Sequence, residues 1–281
     1  MRVLLVLLSV ISASRLVAQA GAPWVLQPRE LLLATTTSTR DAGLLDALLP
    51  VFTRQTGFAV KVIAVGSGQA LELGRRGDAD VVLSHAPQQE RALTDSGYFV
   101  RRLLVMHNDF LIVGPAADAA DLKGTSDPAA ALRRIAERSA LFVSRGDRSG
   151  THQMELDLWR RAGIAPPGPG AWYIEAGQGM AETLQMADQK GAYTITDRAT
   201  LLAWRDRIRL VPMVEGDSLL HNVYHVMEVN PRNARRVNAQ GARAFADFLV
   251  APETQRLIGE FGRERFGQSL FVPDAGKPDR W

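Results

Sequence analysis

The sequence contains no cysteine, which excludes a disulfide framework and any lipid-bearing cysteine behind an export signal. Beyond residue 20 no run is long and apolar enough to form a transmembrane helix. Heptads, low-complexity tracts and short-period repeats are missing, which excludes coiled coils and solenoids. A large excess of either charge is missing too. The formal net charge of +3 falls to +1 once residues 1–20, which carry Arg2 and Arg15 and no acidic group, are set aside. So nearly neutral a chain is not built to bind nucleic acid. The five histidines, His85, His107, His152, His221 and His225, lack close metal-ligand spacing except for the 221/225 pair. On a strand that spacing leaves the two about 13 Å apart, so no metal centre is expected.

What is present is a soluble composition, 46% hydrophobic and 22% charged over 281 residues, enough for two domains of ordinary size. The first twenty residues differ. Arg2 precedes an apolar run from Val3 to Ala13, and Ala18-Gln19-Ala20 supplies small residues for a peptidase. This reads as a secretory signal cleaved after Ala20. With no lipid anchor, the mature chain is expected free in the periplasm, as a monomer.

The rest alternates short apolar runs with helical patterns, the mark of an α/β fold. Leu31 to Ala34, Val60 to Val65, Asp80 to Leu83, Leu141 to Val143, Trp172 to Glu175 and Tyr193 to Thr196 read as strands. Helices are expected at Leu44 to about Gly57, Ala70 to Arg76, within Lys123 to Arg138, from Ser149 to about Ala162, from Met180, and from Asp197 to about Trp204. Arg235 to Val250 and Pro252 to Phe261 close the chain. Phe110 to Val113 and Val223 to Val229 read as strands crossing between domains, and 166–170, rich in Pro and Gly, as a stiff loop.

At four points a strand ends in Gly, Ser or Thr and a helix begins: 35–39, 66–69, 145–151 and 177–179. Two lie before the first crossing strand and two after it. The first N–H groups of a helix lack intrahelical partners and carry the positive end of its dipole. In 145–151 an arginine and two hydroxyls join them, a combination suited to a small tetrahedral anion. The competing local reading makes Ser149 only an N-cap and Arg145 a surface charge. A catalytic reading of Asp147, Ser149 and His152 is opposed by the missing Gly-x-Ser-x-Gly elbow. The ligand-sensing domain of a regulator is opposed by the signal and by the absence of a DNA-binding helix pair. The arginine pairs 75–76, 101–102 and 160–161 read as solvated faces, and Trp159, Trp172 and Trp204 as packing.

Seven stretches carry a family resemblance: Ala-Thr-Thr-Thr-Ser-Thr at 34–39, the run 62–80 through Gly66-Ser67-Gly68-Gln69, 108–115, Ser-Arg-Gly-Asp-Arg-Ser-Gly-Thr-His at 144–152, Gly-Gln-Gly-Met at 177–180, 192–198 and 266–271. In unbroken order over nearly the whole mature chain, the sequence resembles the tungstate-binding proteins of bacterial ABC importers. The resemblance implies a two-lobed periplasmic binding fold, each lobe a mainly parallel sheet flanked by helices, with two crossover strands as hinge. Residues 30–111 and 222–281 would form one lobe and 112–221 the other. It implies no enzyme activity, no cofactor, tungstate or molybdate as ligand, and a membrane permease as partner. The oxyanion contacts would fall on Thr37, Ser38, Ser67, Gly68, Arg145, Ser149, Gly150 and Thr151. Gln178 and Gly179 are placed equally well in the pocket or as a plain helix start. Ser67 stands where threonine is common, Arg148 adds a charge, and Ala199 replaces a frequent glycine. Related phosphate-binding proteins carry an aspartate in a Ser-Asp-Ala-Pro turn that accepts the proton of phosphate. Here the matching turn is Ser84-His85-Ala86-Pro87, so a proton-free oxoanion is expected, with molybdate, sulfate or phosphate as the alternatives.

Overall fold

The computed structural model describes residues 29–279 except 166, 167, 169 and 235. The signal at 1–20 and most of the proline-rich loop therefore lie outside the described residues. In order, the elements are β1 (Arg29–Thr36), α1 (Thr37–Asp41), α2 (Leu44–Thr56), β2 (Phe58–Val65), α3 (Ser67–Arg76), β3 (Val81–Ser84), α4 (Pro87–Asp95) and β4 (Phe99–Gly114). Then follow α5 (Pro128–Glu137), β5 (Phe142–Ser144), α6 (Gly150–Arg161), β6 (Tyr173–Glu175), α7 (Met180–Lys190), β7 (Tyr193–Asp197), α8 (Arg198–Trp204) and β8 (Val211–Val214). The chain ends with β9 (His221–Val229), α9 (Ala239–Val250), α10 (Pro252–Glu260), α11 (Arg263–Phe266) and β10 (Val272–Pro273).

The strands run in the order β2-β1-β3-β9-β4-β7-β5-β6, with β8 and β10 added on β4. The sheet is mixed, where a mainly parallel one was expected. Strands followed by a crossover helix pair in parallel, β1 with β2 and β3, and β5 with β6 and β7. The long strands β4 and β9 and their neighbours pair antiparallel. β4 pairs with β9 as far as Asp109↔His221 and with β7 from Phe110↔Asp197. One strand therefore belongs to both halves of the sheet and changes partner between Asp109 and Phe110.

Only the apolar end of β4 was expected, at Phe110 to Val113. Its first part carries Arg101, Arg102, His107, Asn108 and Asp109, which interrupt any apolar run. Each finds a partner: Arg102 meets Glu90, His107 Nδ1 lies 2.5 Å from Asp274, and Asn108 Oδ1 accepts from Asn222. Arg102, expected in solvent, thus has its side chain largely covered and paired, and Arg101 bridges Glu228 and Asp247. α5 falls inside its expected range behind an Asp127 cap, while the helix expected from Arg235 begins later, behind an Asn238 cap.

The apolar faces explain the layering. Leu31 and Leu33 of β1 pack with Leu44, Leu48 and Phe52 of α2 and Phe245 of α9, while Val82 and Ala34 pack against α3. In the other half, Phe142, Trp159 and Tyr173 form one cluster and Val143, Leu184 and Leu201 another. Ala199 of α8 joins the cluster around Leu44, so the second half also packs on the first.

Candidate functional site

All four expected strand-to-helix junctions exist. Thr36 of β1 stands level with Val65 of β2, which sets the starts of α1 and α3 side by side at one sheet edge. Thr36 caps α1, its Oγ1 accepting from Thr39 N–H. Gly66 caps α3 and Gly179 caps α7, both in extended conformation. Ser149 does cap α6, its Oγ accepting from His152 N–H at 3.3 Å. Acting as an acceptor there, the hydroxyl keeps its own proton to donate.

Arg145 is 4% exposed, which excludes the surface-charge reading. Its Nε donates to Gln178 O at 2.9 Å and its Nη2 pairs with Asp147. Asp147 Oδ1 accepts from Ser149 N–H at 3.1 Å, so one carboxylate orients both the guanidinium and the helix cap. Gln178 thus enters through its backbone carbonyl, as a positioner of Arg145. These two bonds use two of the five guanidinium donors.

Opposite this loop stand Ser67 and His85. Among the described residues, Ser67 Oγ and both ring nitrogens of His85 are buried without a hydrogen-bond partner. A Cβ placed on Gly150 would lie 2.8 Å from His85 Nδ1 and 3.0 Å from Ser67 Oγ. Gly150 is therefore required by close approach, since its backbone is ordinary helix. The start of α6 faces the end of β3 and the start of α3, bringing together Ser67, Gly150 and His85. Thr151 is buried on the same first turn. Gly68 lies in the first turn of α3, beside Gln89 of α4. Thr37 and Ser38 are half-buried at the edge shared with Ser67, where Ser38 Oγ lies 3.2 Å from Thr36 Oγ1.

Sequence reasoning read His85 only for the carboxylate it replaces and missed two carboxylates beneath these loops. Ser84, the last residue of β3, donates its hydroxyl to buried Glu90 at 2.6 Å, and Glu90 also accepts from Ala86 N–H. The other Glu90 oxygen meets Arg102 and His225. Ser144, the last residue of β5, donates to buried Glu155 at 2.8 Å. Tyr173 and Trp159 donate to the other Glu155 oxygen, at 2.7 and 3.2 Å. Each loop thus rests on a serine tied to a carboxylate of the next helix. Burial pushes the Glu155 carboxyl up to about 7 and holds the His85 ring down at about 4.

The Asp147, Ser149 and His152 constellation is not wired for nucleophilic catalysis. His152 Nδ1 accepts from Arg148 N–H, and Asp147 is engaged by Arg145 and Ser149 N–H. Among the described residues neither Asp147 nor Ser149 Oγ bonds the His152 ring, so the orienter and the base–nucleophile contact are both missing. What the arrangement offers is a row of hydroxyls and N–H groups and one guanidinium, all donors. A cavity of about 390 Å³ opens beside His85 and Gly150, lined further by Gln153, Asp157, Arg160 and Asn222.

The PBP superfamily domain matches residues 18–253. The tungstate-binding protein TupA of Peptoclostridium acidaminophilum is 48% identical over 249 residues, 88% of this chain and 86% of that protein. Among solved structures, the tungstate-binding protein TupA of Desulfovibrio alaskensis G20 aligns with a TM-score of 0.76 and 45% identity. That alignment covers 88% of this chain and 99% of the other. A structure described as the tungstate ABC transporter of Geobacter sulfurreducens aligns with a TM-score of 0.75 and 45% identity, over 83% of this chain and 98% of the other.

Proposed function

The chain belongs to the PBP superfamily and within it to the TupA family, and from that membership we propose that it captures tungstate and delivers it to the permease of an ABC importer. It acts as a binding protein and not as an enzyme. The ligand sits where the α3 and α6 starts face each other. Two lobes, 30–111 with 222–281 and 112–221, close over it about β4 and β9, in keeping with the partner change at Asp109 and Phe110.

The observation that carries the site is the buried, unpartnered Ser67 hydroxyl opposite the N-terminus of α6 and the buried Arg145. Hydroxyls of Thr37, Ser38, Ser67, Ser149 and Thr151, N–H groups at Gly68 and Gly150, and the Arg145 fork would serve the four oxygens of one dianion. Each charge-assisted bond contributes about 1.5–3 kcal/mol before desolvation. Several of them support nanomolar affinity, about −12 kcal/mol, after closure is subtracted.

Selectivity against phosphate comes from the lack of a carboxylate free to accept its proton. Glu90 is held by Ser84, Ala86 and Arg102, and Asp147 by Arg145 and Ser149. Sulfate is smaller and leaves donors unpaired. Molybdate, nearly the size of tungstate, is the second ligand. A periplasmic site of action is supported by the signal-like residues 1–20 and by the family.

A thermal-shift panel over tungstate, molybdate, sulfate and phosphate tests the reading. The melting temperature should rise with the first two and hardly with phosphate. An equal rise with phosphate would mean that the Ser84–Pro87 turn does not discriminate as argued, and no rise with tungstate would end the proposal. Gly150→Ala tests the geometry. The added methyl meets His85 and Ser67 but fits the helix, so the fold should survive while tungstate affinity falls roughly 5- to 150-fold, the range of an overpacked contact. Unchanged affinity would show that these two edges need not meet on the ligand.

A further inference from the structure

Among the described residues of this site, the buried His85 ring and Ser67 hydroxyl have polar atoms that serve neither fold nor brace. The His85 neighbours Ser84 and Ala86 are both fastened to Glu90, so the turn cannot rotate the ring away. Tyr224 from β9 packs on it at 5.0 Å between ring centroids, and Phe110 from β4 at 6.5 Å. Among the described residues its nitrogens have no hydrogen-bond partner, and Nδ1 faces the α6 start beside the equally unpartnered Ser67 Oγ. A polar group left unpaired in the interior costs stability, so such a pair aimed at one point suggests a partner that arrives later.

Resting on the tungstate reading above, we propose that the His85 ring contacts the bound oxoanion and takes up one proton from solvent as the anion enters, coupling capture to pH. A neutral imidazole has one N–H and one lone pair. A proton-free dianion offers only acceptors, so the neutral ring can serve it through one N–H alone, whereas the protonated ring sets a full positive charge beside it. The new N–H bond forms at the ring, the proton comes from water, and no bond of the anion breaks.

The charged groups around the ring fit this role. Glu90 on α4 favours the protonated ring and Arg145 opposes it, while burial keeps it neutral in the free protein. Asp157, Arg160 and His221 line the far side of the adjoining cavity. A dianion at the site offsets Arg145 and adds to Glu90, shifting the ring toward its charged form. Bound protons and bound tungstate then stabilise each other. Affinity should fall up to tenfold per pH unit between the free ring's value of about 4 and the higher value at which the complex loses this proton, and level off above it.

Calorimetric titration of the full mature chain with sodium tungstate at pH 7, in buffers of different ionisation heat, counts the protons. Wild type should take up close to one proton per tungstate, and His85→Gln should bind tungstate more weakly with none. Tungstate heats that do not depend on the buffer in wild type, or uptake unchanged in His85→Gln, would overturn the inference and leave the tungstate reading intact. Absence of any tungstate binding would remove both. Should His85→Gln fail to fold, the ¹⁵N imidazole spectrum of wild type decides. The His85 nitrogens should move to the imidazolium position on adding tungstate, and a neutral signature in the complex refutes the idea.

Discussion

Replacing Arg145 with alanine should weaken tungstate binding by about 3–5 kcal/mol, roughly 150- to 5,000-fold, while the ligand-free protein keeps its fold. Two losses add. The anion loses the one buried guanidinium at the α6 start, and it gains Asp147 as an uncompensated neighbour, since that carboxylate now pairs with Arg145. The fold should survive because Asp147 is 20% exposed and can be hydrated, and because Gln178 loses one donor to a loop carbonyl. Arg145→Lys keeps the charge but loses the fork that reaches Gln178, Asp147 and the anion together, so its affinity should lie between the two. Adding Asp147→Asn to Arg145→Ala should restore part of the loss. Tungstate titrations of these variants check the series, and wild-type affinity in Arg145→Ala would remove the guanidinium from the site.

The parts of this arrangement that were legible in the sequence are those written in neighbouring residues. A strand ending in Gly, Ser or Thr and followed by a helical pattern locates all four junctions. Ser149 is the cap its position suggests, and because its hydroxyl accepts there and keeps its proton, the two local readings of it do not exclude each other. What distance in sequence conceals is different in kind. Ser84 reaches a glutamate six residues on and Ser144 one eleven residues on, because one strand leads into its helix at once and the other through the Arg145 loop. The same brace therefore has no common spacing to find. β4 was half hidden because its polar residues find partners on β9, on α4 and near the C-terminus, none of which its own pattern reveals. His85 was read for the carboxylate it replaces, and only the packing of α6 against it makes its unpartnered ring visible.

Those buried groups also set the pH response of stability, and two of them oppose each other. Burial holds the folded His85 ring at about 4 against an ordinary 6.5. Between these values the unfolded chain binds a proton that the folded chain refuses, so this residue makes stability rise with pH. Burial pushes Glu155 to about 7 from 4.5, against the hydrogen bonds from Tyr173, Ser144 and Trp159. Between those values the folded chain keeps a proton that the unfolded chain releases, so this residue makes stability fall with pH. Each span amounts to about 3 kcal/mol, and the slopes nearly cancel where they overlap, from about pH 4.5 to 6.5. In ligand-free protein, His85→Gln should expose the Glu155 slope and lose about 3 kcal/mol relative to wild type as pH is raised across that overlap. Glu155→Gln should do the reverse, gaining about as much relative to wild type between pH 4.5 and 7. Urea midpoints measured at a series of pH values decide it, and variant curves running parallel to wild type would mean that neither group changes its proton on folding. The opposition also ties stability to capture, because a dianion that protonates His85 removes the rising slope and leaves Glu155, under the Arg145 loop, to set how the complex responds to pH.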